Sequence, residues 1–293
     1  MATLRELKGR IGSVGSSEKI TGAMKMISSA KMHKAEGALR RLLPFRDCVQ
    51  TIIANLLSSD AAVSSPLTER REPQHVTIVV FGSDDGLCGA YNVNIFKQLT
   101  AHLVGLRENY GNEITIEIIP IGKKMLKAVA KIADARTVIV AAPEGVTSKS
   151  DGDVVKDFAA CLRSRFLDGG TDRVDLLGMT YHTAGRQTCG VVRYLPLDPA
   201  DLGAGEASGR PYLFEPDAAG IFGTVLPMFL LARMQESFAQ NRASEQAARV
   251  MAMQSANDNA KKLLKQLQLE YNKLRQQSIT TELLDIVGGQ VRD

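Results

Sequence analysis

The N-terminal part of the chain has a spacing of alternately three and four residues that continues without a break from Leu4 to Leu56. This spacing predicts one long helix with a coiled-coil seam. The seam is apolar at both ends and polar between Glu18 and Ser28. Its positions are Leu4, Leu7, Ile11, Val14, Glu18, Thr21, Lys25, Ser28, Met32, Ala35, Leu39, Leu42, Arg46, Val49, Ile53 and Leu56.

A helix over residues 1–57 needs a partner. It would be about 85 Å long, whereas a compact domain of about 150 residues has a radius of gyration of about 15 Å. It contains five glycines, each costing about 1 kcal/mol relative to alanine, and a kink is expected at Pro44. A second helix packed along the seam is therefore expected to stabilise it.

The C-terminal part of the chain supplies this second helix. A helical pattern extends over 217–287, and Gly288 and Gly289 predict its end. Its apolar stripe is predicted at Leu263, Leu267, Tyr271 and Leu274, and an apolar tip at Leu283, Leu284, Ile286 and Val287.

Because a domain separates the two helices in sequence, we expect them to pair antiparallel. A register that packs Leu7 near Leu264 sets Pro44 level with Pro227 and places the polar part of the seam opposite residues 243–253. Beyond Tyr271 the second helix has no partner left within the chain, so its tip is expected to project alone.

Between the helices, short β-branched runs alternate with helical stretches, which predicts a doubly wound, Rossmann-like α/β domain. The chain is therefore expected to contain a coiled-coil helix at 1–57, an α/β domain at 74–199 and a second coiled-coil helix at 211–293, with a loop at 200–210. Strands are predicted at 76–81, 114–121, 137–142, 174–181 and 190–195, and helices near 90–110, 123–133 and 154–167.

Composition is that of a water-soluble chain, with 44% hydrophobic residues and a mean hydropathy of −0.07. The longest apolar run, at 221–232, is interrupted by Gly223 and Pro227 and is shorter than the roughly 18 to 20 residues that cross a bilayer. We therefore expect no membrane span. The first residues show no apolar h-region and no small-residue cleavage site, so no secretory signal is expected and a cytosolic compartment is.

Candidate chemistry is sparse. The cysteines, Cys48, Cys88, Cys161 and Cys189, form no C-x-x-C pair, so we expect reduced structural thiols. The histidines lack metal-ligand spacing, and neither a metal nor a cofactor is expected. The glycine-rich loop at 82–92 fits neither nucleotide-binding motif, so we interpret it as turn chemistry in which Asp84 and Asp85 cap while Gly86 and Gly89 bend the chain.

Charge is concentrated on the first helix. Residues 1–57 hold ten Lys or Arg and four Asp or Glu, a net charge of +6, whereas the whole chain carries +4. A solvated face, a nucleic-acid contact or a surface for an acidic protein each fits this excess. Nucleic acid is the weaker interpretation because no aromatic residues are interleaved with these charges.

Three segments are more specific than a generic coiled coil. The first is IGSV at 11–14 followed by KITGAMKM at 19–26. The second is SEQAAR at 244–249, followed by Ala252, Met253, NDNA at 257–260 and NKLRQQSIT at 272–280. These two resemble the terminal signatures of the gamma subunit of F-type ATP synthases, and the loop at 83–92 is similar to the third signature of that family.

The resemblance implies a rotor shaft without a catalytic site. In such an arrangement the coiled coil stands inside a ring of three alpha and three beta subunits, and the α/β domain contacts the epsilon subunit and the c-ring. Proton flow turns the c-ring and the shaft, which biases the catalytic beta subunits between states. The implied location is peripheral, on the cytoplasmic face of the bacterial inner membrane.

The resemblance also implies contact residues. Met24 and Lys25 match the positions where the shaft meets the beta subunits. The C-terminal positions that contact the ring and tune coupling are Glu245, Arg249, Arg275, Gln276 and Thr280. Glu245 and Arg249 equally fit an ordinary i, i+4 helix pair worth about 0.3 to 0.5 kcal/mol.

Two departures from the family pattern concern local helix geometry. Gly22 stands where the family often has a larger residue, and Pro227 interrupts the second helix. The two-cysteine redox insertion of the chloroplast form is absent, so thiol control of rotation is not expected. Two alternatives to the rotor remain from the residues alone, a coiled-coil scaffold or adaptor and an α/β enzyme with helical arms.

Overall fold

The computed structural model describes residues 3–59, 63–203, 214–215 and 217–290, and of residues 285 and 287–290 it describes the main chain. The chain divides into two compact units, one of residues 1–29 with 249–293 and one of residues 30–248. The predicted loop at 200–210 lies outside the described residues from 204 onward, as does the start of the predicted segment 211–293. The three-domain division stays a prediction.

Both predicted long helices are present. Helix α1 is Leu4–Leu57 and continues through Pro44, and helix α5 is Ala218–Gln290 and continues through Pro227. The predicted end of the second helix was wrong, because α5 includes Gly288 and Gly289. A glycine in a helix costs about 1 kcal/mol relative to alanine but retains its N–H, so it weakens a helix without ending it.

The predicted seam of α1 is confirmed. All of its positions are buried or half-buried, including the polar ones between Glu18 and Ser28. Leu7 and Ile53, near its two ends, are fully buried. Periodicity therefore identified the inner face of this helix along its whole length.

In the unit of residues 1–29 and 249–293, the two helices pair antiparallel as predicted. Glu18 contacts Asn257 and Lys261, whereas the predicted register placed it opposite residue 253. The register was therefore wrong by four to eight residues, or one to two turns. Leu263, assigned to the stripe, is 39% exposed, and its neighbour Leu264 faces Gly15 instead.

In the unit of residues 30–248, the Nη1 of Arg46 lies 3.0 Å from the Oε2 of Glu236. The predicted register placed Arg46 opposite residue 225, so Pro44 is not level with Pro227. When a seam has an apolar residue at every third or fourth position, one helix can shift along the other by a whole turn and still match apolar residues. A single leucine pair therefore does not fix the register.

The same unit contains a five-stranded sheet of order β3-β2-β1-β4-β5, in which the first four strands are parallel and β5 is antiparallel to β4. This confirms the doubly wound prediction. The strands are β1 His75–Phe81, β2 Thr115–Ile121, β3 Thr137–Ile139, β4 Arg173–Thr183 and β5 Arg186–Leu195, and the helices between them are α2 Tyr91–Tyr110, α3 Lys123–Val129 and α4 Gly152–Leu167.

Alternate residues of a strand point to opposite sides of the sheet, and helices cover both sides, so both faces are buried. On one face, Val76, Ile78 and Val80 of β1 pack with residues of α2 and α3. On the other face, Val79 and Phe81 pack with residues of α4, α1 and α5. The long helices are thus part of the core of this unit.

By length and composition, α5 could cross a membrane, since it contains an 18-residue window of mean hydropathy 1.3. Its large apolar residues Phe222, Leu226, Phe229 and Leu230 are almost completely buried in the core on the face of the sheet that packs against α4. Of that window, 39% is buried, so packing within the unit accounts for part of its apolar character.

Candidate functional site

In the unit of residues 1–29 and 249–293, the polar part of the seam is held by one asparagine. The Nδ2 of Asn257 donates to the main-chain oxygen of Glu18 over 2.7 Å and lies 3.3 Å from the Oγ1 of Thr21. A Cβ on Gly22 would lie 3.3 Å from the same Nδ2. The glycine that departs from the family pattern thus makes room for this contact.

The predicted contact residues Met24 and Lys25 follow directly on this polar stretch. Both are half-buried, because Lys25 occupies a seam position and Met24 lies beside it. Arg249, at the start of the same unit on α5, is 5% exposed. The structure therefore presents little of these three side chains to a partner.

A more exposed apolar surface lies beside them. Ile20, Met26 and Ile27 are 63%, 69% and 51% exposed, and none of them is a seam position. We call these three residues the outer apolar face of α1. This face was not predicted from the sequence, although apolar residues that fall outside a coiled-coil register are a signal that could have identified it.

The predicted residues Arg275, Gln276 and Thr280 are all exposed on α5. The hydroxyl of Thr280 donates to the main-chain oxygen of Gln276 over 2.9 Å, so this pair is linked within the helix. The described side chains of the apolar tip, Leu283, Leu284 and Ile286, are 57% to 66% exposed. Val287, also assigned to the tip, has a side chain outside the described residues.

Glu245 belongs to the other unit, where it is 4% exposed and accepts a 3.4 Å hydrogen bond from the Nε2 of Gln246. Its suggested helical pairing with Arg249 stays a prediction. Along α5, Arg249 and Arg275 are 26 residues apart, or about 39 Å. The seven predicted residues do not form one compact site.

The loop at 82–92 follows β1 at the edge where a doubly wound sheet binds ligands. Asp84 accepts from the main-chain N–H of Lys123, at the start of α3, over 3.1 Å and from the hydroxyl of Ser148 over 2.7 Å. A Cβ on Gly82 would lie 2.4 Å from the Cβ of Met125. Asp84 therefore caps a helix, as predicted, but this helix is α3, which follows β2, and not α2, which directly follows the loop.

Bending in this loop was predicted at Gly86 and Gly89. Gly89 has a positive φ of 58°, as a bend requires. The other positive φ in this loop, 64°, belongs to Leu87, so the bend predicted at Gly86 lies one residue later. Cys88 is a buried free thiol, 3.4 Å from the Nδ2 of Asn92.

A cavity of about 400 Å³ lies between β4, β5, α1 and α5 in the unit of residues 30–248. The charged groups on its wall pair with one another. Arg46 pairs with Glu236, and the Nη1 of Arg233 lies 3.6 Å from the Oδ2 of Asp201. These pairs balance the charge of the cavity.

Tyr181, near the end of β4, donates from its hydroxyl to the Oε1 of Glu36 on α1. Burial, followed by this hydrogen bond, raises the pKa of Tyr181 to about 12. The bond from Tyr181 is the largest cause that lowers the pKa of Glu36 below its ordinary value, and His33, 3.0 Å away, adds to it. The contact fastens the strand to the helix.

Comparison with known proteins assigns the family. Residues 3–291 match the family model described as ATP synthase. The ATP synthase gamma chains of Bacteroides fragilis (strain YCH46) and Phocaeicola vulgatus are each 40% identical to this chain, over 99% of this chain and 100% of theirs. The chain belongs to the ATP synthase gamma-chain family.

The fold of this gamma chain is shared by solved structures of low sequence identity. A chain of the Euglena gracilis mitochondrial ATP synthase OSCP/F1/c-ring structure is 21% identical, with a TM-score of 0.63 over 98% of this chain and 93% of that one. A chain of the Tetrahymena thermophila central stalk/c-ring structure is 21% identical, with a TM-score of 0.56 over 81% and 99%. As a gamma chain, the protein is a non-catalytic subunit of an ATP synthase.

Proposed function

We propose that this gamma chain is the central-stalk rotor of its ATP synthase. It couples rotation of a c-ring, driven by proton flow, to conformational change and ATP synthesis or hydrolysis on the beta subunits. The partners are three alpha and three beta subunits, the epsilon subunit and the c-ring. The complex lies at the cytoplasmic face of a bacterial inner membrane, with this chain peripheral.

The observation that carries the proposal is the outer apolar face of α1. The seam of this helix is already buried, yet Ile20, Met26 and Ile27 are more than half exposed. Together with the exposed tip of α5, they form apolar surface that water disfavours and that a surrounding protein ring would cover. A shaft that presents different side chains to each beta subunit biases their states through unequal contact energies.

We further propose that Met24, Lys25, Glu245, Arg249, Arg275, Gln276 and Thr280 take part in this coupling. Three of them, Arg275, Gln276 and Thr280, are exposed and suited to direct contact. Glu245 and Arg249 are buried, so they act through the position of α5.

The first experiment is purification of the chain with its native partners. Recovery with alpha and beta subunits is expected, and recovery without them would exclude a rotor. The isolated chain is expected to hydrolyse no ATP, which separates the rotor from an α/β enzyme.

The second experiment compares two neighbouring threonines. Thr280 and Thr281 are both exposed and donate equivalent hydrogen bonds, of 2.9 Å to Gln276 and 3.0 Å to Gln277. Thr280→Ala is expected to lower proton pumping per ATP hydrolysed in inverted vesicles, and Thr281→Ala is the matched control. Equal pumping in both variants would remove Thr280 from the coupling residues.

A further inference from the structure

The crevice in which doubly wound folds bind ligands is occupied here by the chain's own helix. Helices α2 and α3 pack on one face of the sheet and α4 on the other, so the winding reverses between β1 and β4. Ligands of such sheets bind beyond the carboxyl ends of the strands at this reversal. β1 ends at Phe81 and its pairing with β4 ends at Leu177, while β4 continues to Thr183.

The continuing part of β4 would leave main-chain donors unpaired on the side from which β1 has turned away. Alternate residues of a strand point their N–H groups to the same edge, so Met179 and Tyr181 need acceptors there. Two consecutive side chains of α5 supply them. The Oδ1 of Asn241 accepts from the N–H of Met179 over 2.7 Å, and the Oε1 of Gln240 accepts from the N–H of Tyr181 over 2.6 Å.

Asn241 is held from further directions. Its Nδ2 donates to the main-chain oxygen of Ser237 over 2.8 Å, and the hydroxyl of Tyr91 on α2 lies 3.3 Å from its Oδ1. A Cβ on Gly178 would lie 2.5 Å from the Nδ2, so only glycine admits the side chain at this distance. Asn241 itself is 7% exposed.

We propose that Asn241, supported by Gln240, is a positioning residue that locks α5 to the sheet and fixes the angle of this helix about its own axis. Apolar packing is non-directional and tolerates small rotations, whereas hydrogen bonds to two alternate donors of one strand are lost if the helix turns or slides. This inference rests on the proposed rotor function, in which torque applied to the α/β domain has to be transmitted to α5 without rotation of α5 relative to the sheet.

The first test measures the lock in the full isolated chain. Asn241→Leu keeps the side-chain size but removes the acceptor, and amide hydrogen exchange at Met179 is expected to accelerate about tenfold. Asn241→Asp keeps the acceptor for Met179 but loses the donor to Ser237, so its exchange rate is expected to lie between those of wild type and Asn241→Leu. Gln235→Leu, the same kind of change elsewhere on α5, is the control and is expected to leave Met179 unchanged.

The second test measures proton pumping per ATP hydrolysed by the assembled complex in inverted vesicles. Asn241→Leu is expected to lower this ratio while ATP hydrolysis per complex continues, and Asn241→Asp, which keeps the acceptor, is expected to lower it less. A merely structural role would reduce the amount of complex and leave the ratio unchanged. Gly178→Ala, which displaces Asn241 without altering it, replaces Asn241→Leu if that variant does not assemble.

The outcomes separate the two proposals. A wild-type complex that does not couple ATP hydrolysis to pumping through this chain would overturn the rotor function. A coupled wild type with an unchanged ratio in both Asn241→Leu and Gly178→Ala would overturn the lock alone. Unchanged exchange at Met179 in Asn241→Leu would overturn the lock as well.

Discussion

Asn257 on α5 donates a 2.7 Å hydrogen bond to the main-chain oxygen of Glu18 on α1. Because Asn257 is almost completely buried, the loss of its amide leaves a polar gap in the seam. Asn257→Ala is expected to lower the free energy of unfolding by about 1 kcal/mol. Urea unfolding of the isolated chain measures this, with exposed Asn259→Ala as a control that should unfold like wild type.

Gly22 and Gly12 offer a matched pair on the same helix. A Cβ on Gly22 would press on Asn257, whereas a Cβ on Gly12 would meet nothing within 4 Å among the described residues. Gly22→Leu is therefore expected to destabilise the chain by about 1 to 3 kcal/mol through overpacking. Gly12→Leu is expected to leave stability unchanged or raise it by up to about 1 kcal/mol. Equal melting temperatures in the two variants would contradict this assignment.

The contact of Tyr181 with Glu36 is expected to make the stability of the chain fall at alkaline pH. Its pKa is raised to about 12 from the ordinary 10.0, so its contribution is fully present below about pH 10 and is lost as pH rises toward 12. Burial also raises the pKa of Cys189 and of Tyr194, so Tyr181→Phe is expected to reduce the alkaline loss of stability and not to abolish it, and urea midpoints between about pH 9 and 12 measure the difference.

Tyr181→Phe also acts at acid pH. Glu36 has a lowered pKa, so its contribution is present above its ordinary value of 4.5 and is lost as pH falls. Without the bond from Tyr181, this acid loss should be smaller in the variant. Tyr271→Phe, in the other unit, is the control. An unchanged pH profile for Tyr181→Phe would show that the Glu36 contact contributes nothing in solution.

Asp84 and Asp85 are adjacent but differ in their partners. Asp84 caps α3 and holds Ser148, whereas the pair of Asp85 with Lys149 is 62% to 70% exposed. Asp84→Ala is expected to cost about 1 to 2 kcal/mol of stability, and Asp85→Ala less than about 0.5 kcal/mol. Thermal melts measure both. A larger loss for Asp85→Ala would reverse the assignment of the capping residue.

Patterns that depend on near neighbours were predicted well from sequence. The seam of α1 is confirmed at every position, and each predicted strand has a counterpart within a few residues. Both follow from local periodicity, which one chain segment contains by itself. The end of α5 at Gly288 was wrong because glycine permits a helix end but does not require one.

Features that depend on contacts distant in sequence were not predictable in the same way. The predicted helix register was wrong because leucines recur along the seam and match in more than one register, and the observed register brings Asn257 onto Glu18. Gln240 and Asn241 have the sequence character of a solvated helix face, and only the unpaired edge of β4 makes them acceptors, Asn241 buried and Gln240 half-buried. The outer apolar face of α1 was visible in the sequence but was not separated from the seam.

The exposure of Ile20, Met26 and Ile27 has a consequence for the newly made chain. Until other subunits cover them, these side chains are exposed to water, and copies of the chain made in excess of the other subunits would aggregate through them. A cell that makes this protein therefore has to keep its production in step with that of the rest of the complex.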